Sequence, residues 1–385
     1  MRGVMPVVAG ALLVLACPVR GDAIVPQAML RAGQVLVSVE PRQIALRARD
    51  RDVRTRYCGA PRTDWPSEPA VKTVRHDRQP GQEMVLALME ASAAILAFDD
   101  HRARDSIIRN LDRWARNEGM LKRQKRMRAR EYYNIDRSLM PMIVAFSLVR
   151  DQADADPVRI RRIETWLARV VDMRRGAERF FKPSLSSSRN NHRYLADSVT
   201  MAWGALTGNA ALFDKGLHRY RVALDQARPD GSLPLETGRG HMALHYQRHA
   251  IGSLVAIAEM ADVQGIDLYS WRNERGQTIH DLIGFLARAL DDPAELEAYA
   301  PHAQDLGFLE WRGHGRHYMA WLEAYSARFG ARSETRRLWQ IVRAHGHEQR
   351  PMVDDYIGSV TTCFFRPLPN GDGVSLTGAD ASSNG

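Results

Sequence analysis

Cysteine is scarce in this chain. Three cysteines occur in 385 residues, and Cys17 directly follows the first apolar run, leaving Cys58 and Cys363. Two thiols cannot build a disulfide-dense scaffold or a four-cysteine metal knot, and they permit one bridge or two separate buried thiols. Neither has a histidine-bearing motif beside it, which argues against a cysteine nucleophile. Acidic residues are in deficit, 45 against 54 Lys and Arg, for a net charge of +9. That balance disfavours acidic ligand-mimicking surfaces and favours polyanionic partners: nucleic acid, anionic lipid or acidic polysaccharide. No recognisable nucleic-acid motif is present. The apolar run Val4 to Ala16 is too short to span a bilayer as a stable helix, and no other apolar run is long enough. No strand–helix–strand alternation and no residue-level repeat is visible.

What is present at the N-terminus sets an expected compartment. Arg2, the run Val4 to Ala16, and Val19-Arg20-Gly21 before Asp22 have the order of an export signal over residues 1–21. Val14-Leu15-Ala16-Cys17 also resembles a lipobox, although Leu15 and Pro18 fit that pattern poorly. A periplasmic or secreted protein is therefore expected. Residues 22–368 are expected to form one domain with a loop-rich start, and the Gly-, Asp- and Ser-rich tail 369–385 to be disordered. A monomer is the expected state.

From Ala23 to Pro80 the pattern is irregular, with five prolines from Pro41 to Pro80 and dense Arg and Asp from Arg47 to Arg56. It reads as loop, solvated or acting as a lid, with Lys72 and Arg75 available to an acidic ligand. Beyond Pro80 apolar residues recur at helical spacing: Met84, Leu88, Ala91 and Ile95, then Ile107, Ile108, Leu111 and Trp114, then Leu139, Ile143 and Phe146. Turn signals divide them at Asp99-Asp100, Asn117-Glu118-Gly119, Asp154 to Pro157, Thr207-Gly208-Asn209 and Pro229-Asp230-Gly231. About ten helices in hairpin succession predict an all-α architecture of stacked helix pairs. A short strand is expected near Val360 to Phe365. Lys122 to Arg130 holds six basic residues in nine, a solvated loop or an electrostatic gate for a polyanion.

The informative stretch runs from Ser186 to Ala250. Asn191 and His192 stand where a serine run gives way to the apolar pattern Leu195, Ala196, Val199, Ala202 and Trp203, as at a helix start. A second helix is expected to begin near Arg239 and carry Met242, Tyr246 and His249. Arg239 and Tyr246 would then share one face, two turns apart. His241, His245 and His249 recur every four residues. Three imidazoles strung along two turns cannot all face one ion, and no carboxylate motif completes a set, so neither metal nor other cofactor is expected.

Asn190-Asn191-His192-Arg193-Tyr194, Leu233-Pro234-Leu235-Glu236, Arg239 and Ala243-Leu244-His245-Tyr246 together resemble the alginate lyase family, the mannuronate lyases of polysaccharide lyase family 5. Ala320-Trp321-Leu322-Glu323 is a weaker echo. Leu195 stands where the family usually has Trp, and Gln247 where it has His, positions expected to bear on sugar preference. The resemblance implies an (α/α) toroid, an incomplete α/α barrel, and β-elimination on a 1,4-linked polyuronate. Asn191, His192, Arg239 and Tyr246 are then the expected catalytic set, with Arg193, His245, His249 and Lys72 as substrate contacts. Amide and cationic donors would neutralise the uronate carboxylate while Tyr246 moves the proton. Hydrolysis would instead need two carboxylates flanking the glycosidic oxygen, for which Asp197, Asp230, Glu236 and Glu310 are available. A protein that holds polyuronate without cleaving it is the third class.

Overall fold

A computed structural model describes residues 30–37, 39–122, 127–152, 155–177, 186–346 and 351–369. The expected leader, all but the first residue of the expected tail, positions 123–126 of the basic run, and Asp154 of the third turn lie outside the described residues.

Five helices are buried around most of their circumference, and their sequences say why. In α3 (Gln82–Phe98) every residue from Met84 to Ala97 except Glu90 is buried, and in α10 (Ala243–Val263) burial is unbroken from Gln247 to Ala261. Such all-round apolar helices belong to a core rather than a surface. α5 (Ala129–Ser147), α7 (Asn191–Thr207) and α13 (Trp321–Phe329) complete this inner set. Each is followed by a partner that buries chiefly one face: α4 (His101–Arg116), α6 (Pro157–Ala177), α8 (Ala210–Gln226), α11 (Ile279–Asp291) and α14 (Ser333–Ala344). Inner helices pack successively, α3 on α5, α5 on α7, α7 on α10 and α10 on α13. The partners form the outer layer of an incomplete (α/α) barrel, as expected from the hairpin succession.

The turns are built as the sequence suggested. Asp99 ends α3 in a left-handed conformation, and Asp100 caps α4 through its carboxylate. Gly208 ends α7 and Asn209 caps α8 in the same manner. α7 and α8 touch at Gly204, where a Cβ would lie 2.4 Å from the Phe213 amide nitrogen. Only glycine permits that approach.

Two expectations need correction. The stretch from Ala23 to Pro80 is not loop throughout: α1 (Val39–Arg47) and α2 (Arg51–Cys58) lie within it, α2 capped by Asp50. Their apolar faces are too thin to show as periodicity, since α1 buries only Leu46 and α2 only Tyr57 and Cys58. The strand lies earlier than expected and is shorter. β1 (Val353–Asp354) and β2 (Ser359–Val360) form a small antiparallel hairpin, and Thr361–Phe365 is helical. This last helix packs on α13 and α3 and so closes the ring. Cys363 on it is disulfide-bonded to Cys58 across 305 residues, and Arg42 Nε donates to the Cys363 carbonyl at 2.7 Å. No helix among the described residues is long and apolar enough to cross a membrane.

Candidate active site

The start of α7 is set by Asn190, not Asn191. The Asn190 side chain accepts the His192 amide, so Asn191 is spared the capping role. Asn191 instead meets Glu236 on a short helical turn, α9 (Pro234–Thr237), opened by Pro234. Its backbone N–H donates to Oε1 at 2.7 Å and its Nδ2 to Oε2 at 2.6 Å. Burial pushes the Glu236 carboxyl up to about 7, against the pull of these two bonds and the Arg239 charge. The sequence reading cast Asn191 simply as an amide donor to substrate. In the structure Nδ2 already serves Glu236, and among the described residues the buried Oδ1 has no partner.

His192 lies on Tyr133 of α5, ring centroids 4.6 Å apart. Burial, reinforced by the charges of Arg239, Arg174 and Arg130, pushes it down to about 4. It is thus neutral at ordinary pH, able to accept a proton and unable to donate two. Tyr133 is a hub. Its hydroxyl is 3.0 Å from His249 Nε2 and 2.6 Å from the Tyr356 hydroxyl, the latter delivered by the β1–β2 hairpin. Burial raises Tyr133 to about 12, and burial together with Arg248 holds His249 well below its ordinary value.

Arg239 is not helical, contrary to expectation. Gly240, at φ +56°, introduces a turn of 3₁₀ helix through Met242, and α10 begins only at Ala243. The two residues nevertheless meet, because the Arg239 guanidinium lies over the Tyr246 ring, 4.2 Å from its centroid. Arg239 therefore joins the parts: it covers Tyr246 while its charge acts on both His192 and Glu236.

His245 stands edge-on to Tyr246, Phe308 and Tyr318, and burial with the Arg248 charge pushes it down to about 3. Arg248, almost fully buried, donates to the Tyr318 carbonyl at 3.2 Å. A cavity of about 550 Å³ lies beside this cluster, lined by Arg137, Arg312, Arg316, Tyr318, Asp354 and Asp355 among others. Arg137 ties it to the site, donating to Asp355 at 2.7 Å while facing the rings of Tyr133 and Tyr356.

The other expected contacts fall elsewhere. Arg193 donates to Asp197 at 2.8 Å and lines a separate cavity between α6, α7 and α8. Lys72 has an exposed side chain, and its carbonyl pairs with the Lys122 amide. Gln247 is no sugar contact either: wholly buried, it clamps the 231–233 turn by accepting the Leu233 amide and donating to the Gly231 carbonyl. His241 is exposed, and among the described residues no three His, Cys, Asp or Glu side chains gather to hold a metal ion. Tyr133, Tyr356, Tyr318, Arg137 and Arg248 escaped the sequence reading. Only the adjacent aromatics Tyr132-Tyr133 carried any signal, and an aromatic on a helix ordinarily packs in a core.

Residues 73–296 match the family described as alginate lyase. The chain belongs to that family. A polysaccharide lyase of Stenotrophomonas maltophilia is 32% identical over 195 residues, 50% of this chain and 56% of that protein. An alginate lyase of Azotobacter chroococcum is 26% identical over 280 residues, 70% and 68% respectively. For the Stenotrophomonas and Pseudomonas entomophila relatives, the match spans little more than half of their length. Among solved structures, alginate lyase A1-III of Sphingomonas species A1 superposes with a TM-score of 0.74 at 24% identity, covering 89% of this chain and 98% of that one. A tyrosine-to-phenylalanine variant of A1-III complexed with tetrasaccharide gives 0.75 at 24%, covering 89% and 99%. These likenesses agree in fold with the ring of paired helices, and the alginate lyase match extends from the segment before α3 into α12 (Ala294–Glu297).

Proposed function

We propose that this alginate lyase family member cleaves a 1,4-linked polyuronate by β-elimination, leaving a 4,5-unsaturated uronate at the new end. One observation carries the reading: Arg239 covers Tyr246 while its charge reaches neutral His192 and the Asn191–Glu236 pair. The C5 proton of a uronate is hard to remove because the adjacent carboxylate opposes a carbanion. Arg239, with Asn191 set by Glu236, supplies the donors that let charge move into that carboxylate as the C5–H bond breaks. The electron pair then forms the C4–C5 double bond and expels the C4 oxygen.

Tyr246 is assigned as base and acid. The Arg239 guanidinium lies over its ring, 4.2 Å from the centroid, where it can also meet the uronate carboxylate. In β-mannuronate the C5 proton and the C4 oxygen lie on the same side of the ring. One tyrosine can take the first proton and return one to the leaving oxygen. His192, neutral and partly open, is assigned as base where the proton lies opposite, as in guluronate. His245 and His249 shape the wall, and the Arg137–Arg312–Arg316 cavity receives further sugar units with their carboxylates.

The hydrolase alternative finds less support. Glu236 is tied to Asn191, Asp197 to Arg193 and Arg219, and Asp230 accepts from Tyr299 and Ser232. Export is part of the proposal and rests on the N-terminal pattern. Incubation with pure polymannuronate, polyguluronate and polyglucuronate tests the activity. Ultraviolet absorbance of the unsaturated product is expected on at least one. Viscosity loss without absorbance would mean hydrolysis, and neither signal would mean binding alone.

A further inference from the structure

We propose that Tyr318 is a substrate-binding residue, its hydroxyl donating to the carboxylate of a uronate unit next to the reacting one. Of the tyrosines at the site, Tyr133 and Tyr356 spend their hydroxyls on each other at 2.6 Å. The hydroxyls of Tyr246 and Tyr318 bond no other described residue. These two tyrosines also share their surroundings. His245 stands between them, edge-on to both, with ring centroids 5.4 Å and 5.6 Å away. Each ring carries a guanidinium: Arg239 lies 4.2 Å from the Tyr246 centroid, and Arg312 and Arg248 lie 4.4 Å and 4.7 Å from that of Tyr318. One short oligosaccharide can therefore meet both phenols. What differs is the neighbourhood. Tyr246 adjoins the Arg239 charge that reaches His192 and Glu236, whereas Tyr318, half-buried, lines the 550 Å³ cavity with Arg312 and Arg316.

The segment that carries Tyr318 is fixed from both sides. His317 is buried and uses both ring nitrogens. Its Nε2, 3.0 Å from the Leu309 carbonyl, must donate, so Nδ1 accepts the Met319 amide at 3.0 Å. The His317 amide donates to the Val353 carbonyl of β1 at 3.2 Å, and Arg248 donates to the Tyr318 carbonyl at 3.2 Å. The phenol is thus a donor set in place before substrate arrives, which spares the cost of ordering it on binding.

Its neighbours choose the group it binds. Arg312 and Arg316 form no ion pair among the described residues. Two of the cavity's acids are engaged elsewhere: Asp355 accepts from Arg137 at 2.7 Å and Asp354 from the Tyr356 amide at 2.7 Å. Glu83 stands exposed on the first turn of α3. Beside Tyr318, then, phenol O–H and guanidinium N–H groups are all donors, and a carboxylate accepts from both kinds at once. A neutral sugar unit would leave the arginines unused. That the anion belongs to a uronate chain rests on the lyase reading.

The test is Tyr318→Phe, which keeps the ring against Arg312, Arg248 and His245 and removes only the oxygen. Its thermal midpoint should match that of the unsubstituted protein. A hydrogen bond to a charged group is lost, so KM for polymannuronate should rise roughly 10-fold while kcat stays within about threefold. Tyr246→Phe should show the reverse, turnover lost and affinity kept. Calorimetry of Tyr246→Phe protein with and without Tyr318→Phe makes the comparison without turnover, and Kd for mannuronate tetramer should rise roughly 10-fold. The β-1,4-linked mannose tetramer, the same chain without carboxylates, should show no such difference. An equal loss for it would assign the hydroxyl to a neutral sugar oxygen and overturn the carboxylate assignment. KM and Kd unchanged by Tyr318→Phe would overturn the binding role, as would tetramer binding to neither protein. A kcat loss of about 100-fold or more at constant KM would place Tyr318 on the proton path instead, and so overturn it too. Absence of unsaturated product from the unsubstituted protein, with the calorimetric difference intact, would sink the lyase reading alone.

Discussion

Asn191 and Glu236 are joined twice, backbone N–H to Oε1 at 2.7 Å and Nδ2 to Oε2 at 2.6 Å. A carboxylate can accept both bonds, whereas a protonated carboxyl turns one oxygen into a donor and loosens the pair. With Glu236 raised to about 7, the pair is intact above that pH and loosened below it. kcat/KM should therefore fall as pH drops through about 7. His192, held near 4, would place a limb only there. Stability runs the other way for this group: a carboxyl raised in the fold binds its proton more tightly when folded, so its contribution is present in acid and lost as pH rises through about 7. Glu236→Gln should abolish the limb near 7 and cost on the order of 10²-fold at all pH, as misplacement of a positioned group does. A wild-type profile flat from pH 5 to 8 would contradict this role.

The ring closes through Cys58 and Cys363, and the bridge spans 305 residues of sequence. Long loops lose most entropy on cross-linking, so the Cys58→Ser, Cys363→Ser double variant should lose about 2–5 kcal/mol of stability. Neither sulfur touches the Tyr246 cluster, so turnover of the folded fraction should persist. Denaturant titration beside initial rates checks both halves. Equal stability of the two proteins would show that the helix packing alone closes the ring.

Surface charge should govern encounter with the polymer. The chain carries a formal +9, and screening at high ionic strength weakens attraction between exposed charges. Added salt is expected to raise KM more than it lowers kcat. Because the proposed charge stabilisation comes from Arg239 and amide donors, a chelator should leave the rate unchanged. Loss of activity in chelator, restored by zinc or calcium, would refute the metal-free part, and a KM indifferent to salt would refute the steering.

The fold was legible where local rules and tertiary demands agree. Asp99-Asp100 and Gly208-Asn209 each combine a left-handed stop with a capping start, and both were read correctly from residue type. α1 and α2 were missed because Leu46, Tyr57 and Cys58 are too few to mark a face. The motif residues were legible through their family pattern, but their partners were not. Tyr133 and Tyr356 meet at 2.6 Å from 223 residues apart, a contact that no local spacing announces. Gln247 and Arg193 adjoin motif residues in sequence yet turn toward the 231–233 turn and Asp197, since successive residues on a helix point about 100° apart.

The assignment of Tyr246 yields the sharpest test. Its ring is packed between the Arg239 guanidinium and the edge of His245, so Tyr246→Phe keeps both contacts and removes only the oxygen. Folding and substrate affinity should survive. General acid–base groups contribute about 10²–10⁴-fold, and one group performing both proton transfers should fall toward the upper end. Arg239→Ala is expected to lower kcat as well, because its interaction with the substrate carboxylate strengthens as charge builds there. It also uncovers the ring, so its loss should not add fully to that of Tyr246→Phe. Rates for the two single variants and the double on polymannuronate, with circular dichroism as the folding control, measure that coupling. A folded Tyr246→Phe protein retaining more than about a tenth of wild-type turnover lies outside the acid–base range and removes this tyrosine from the proton path.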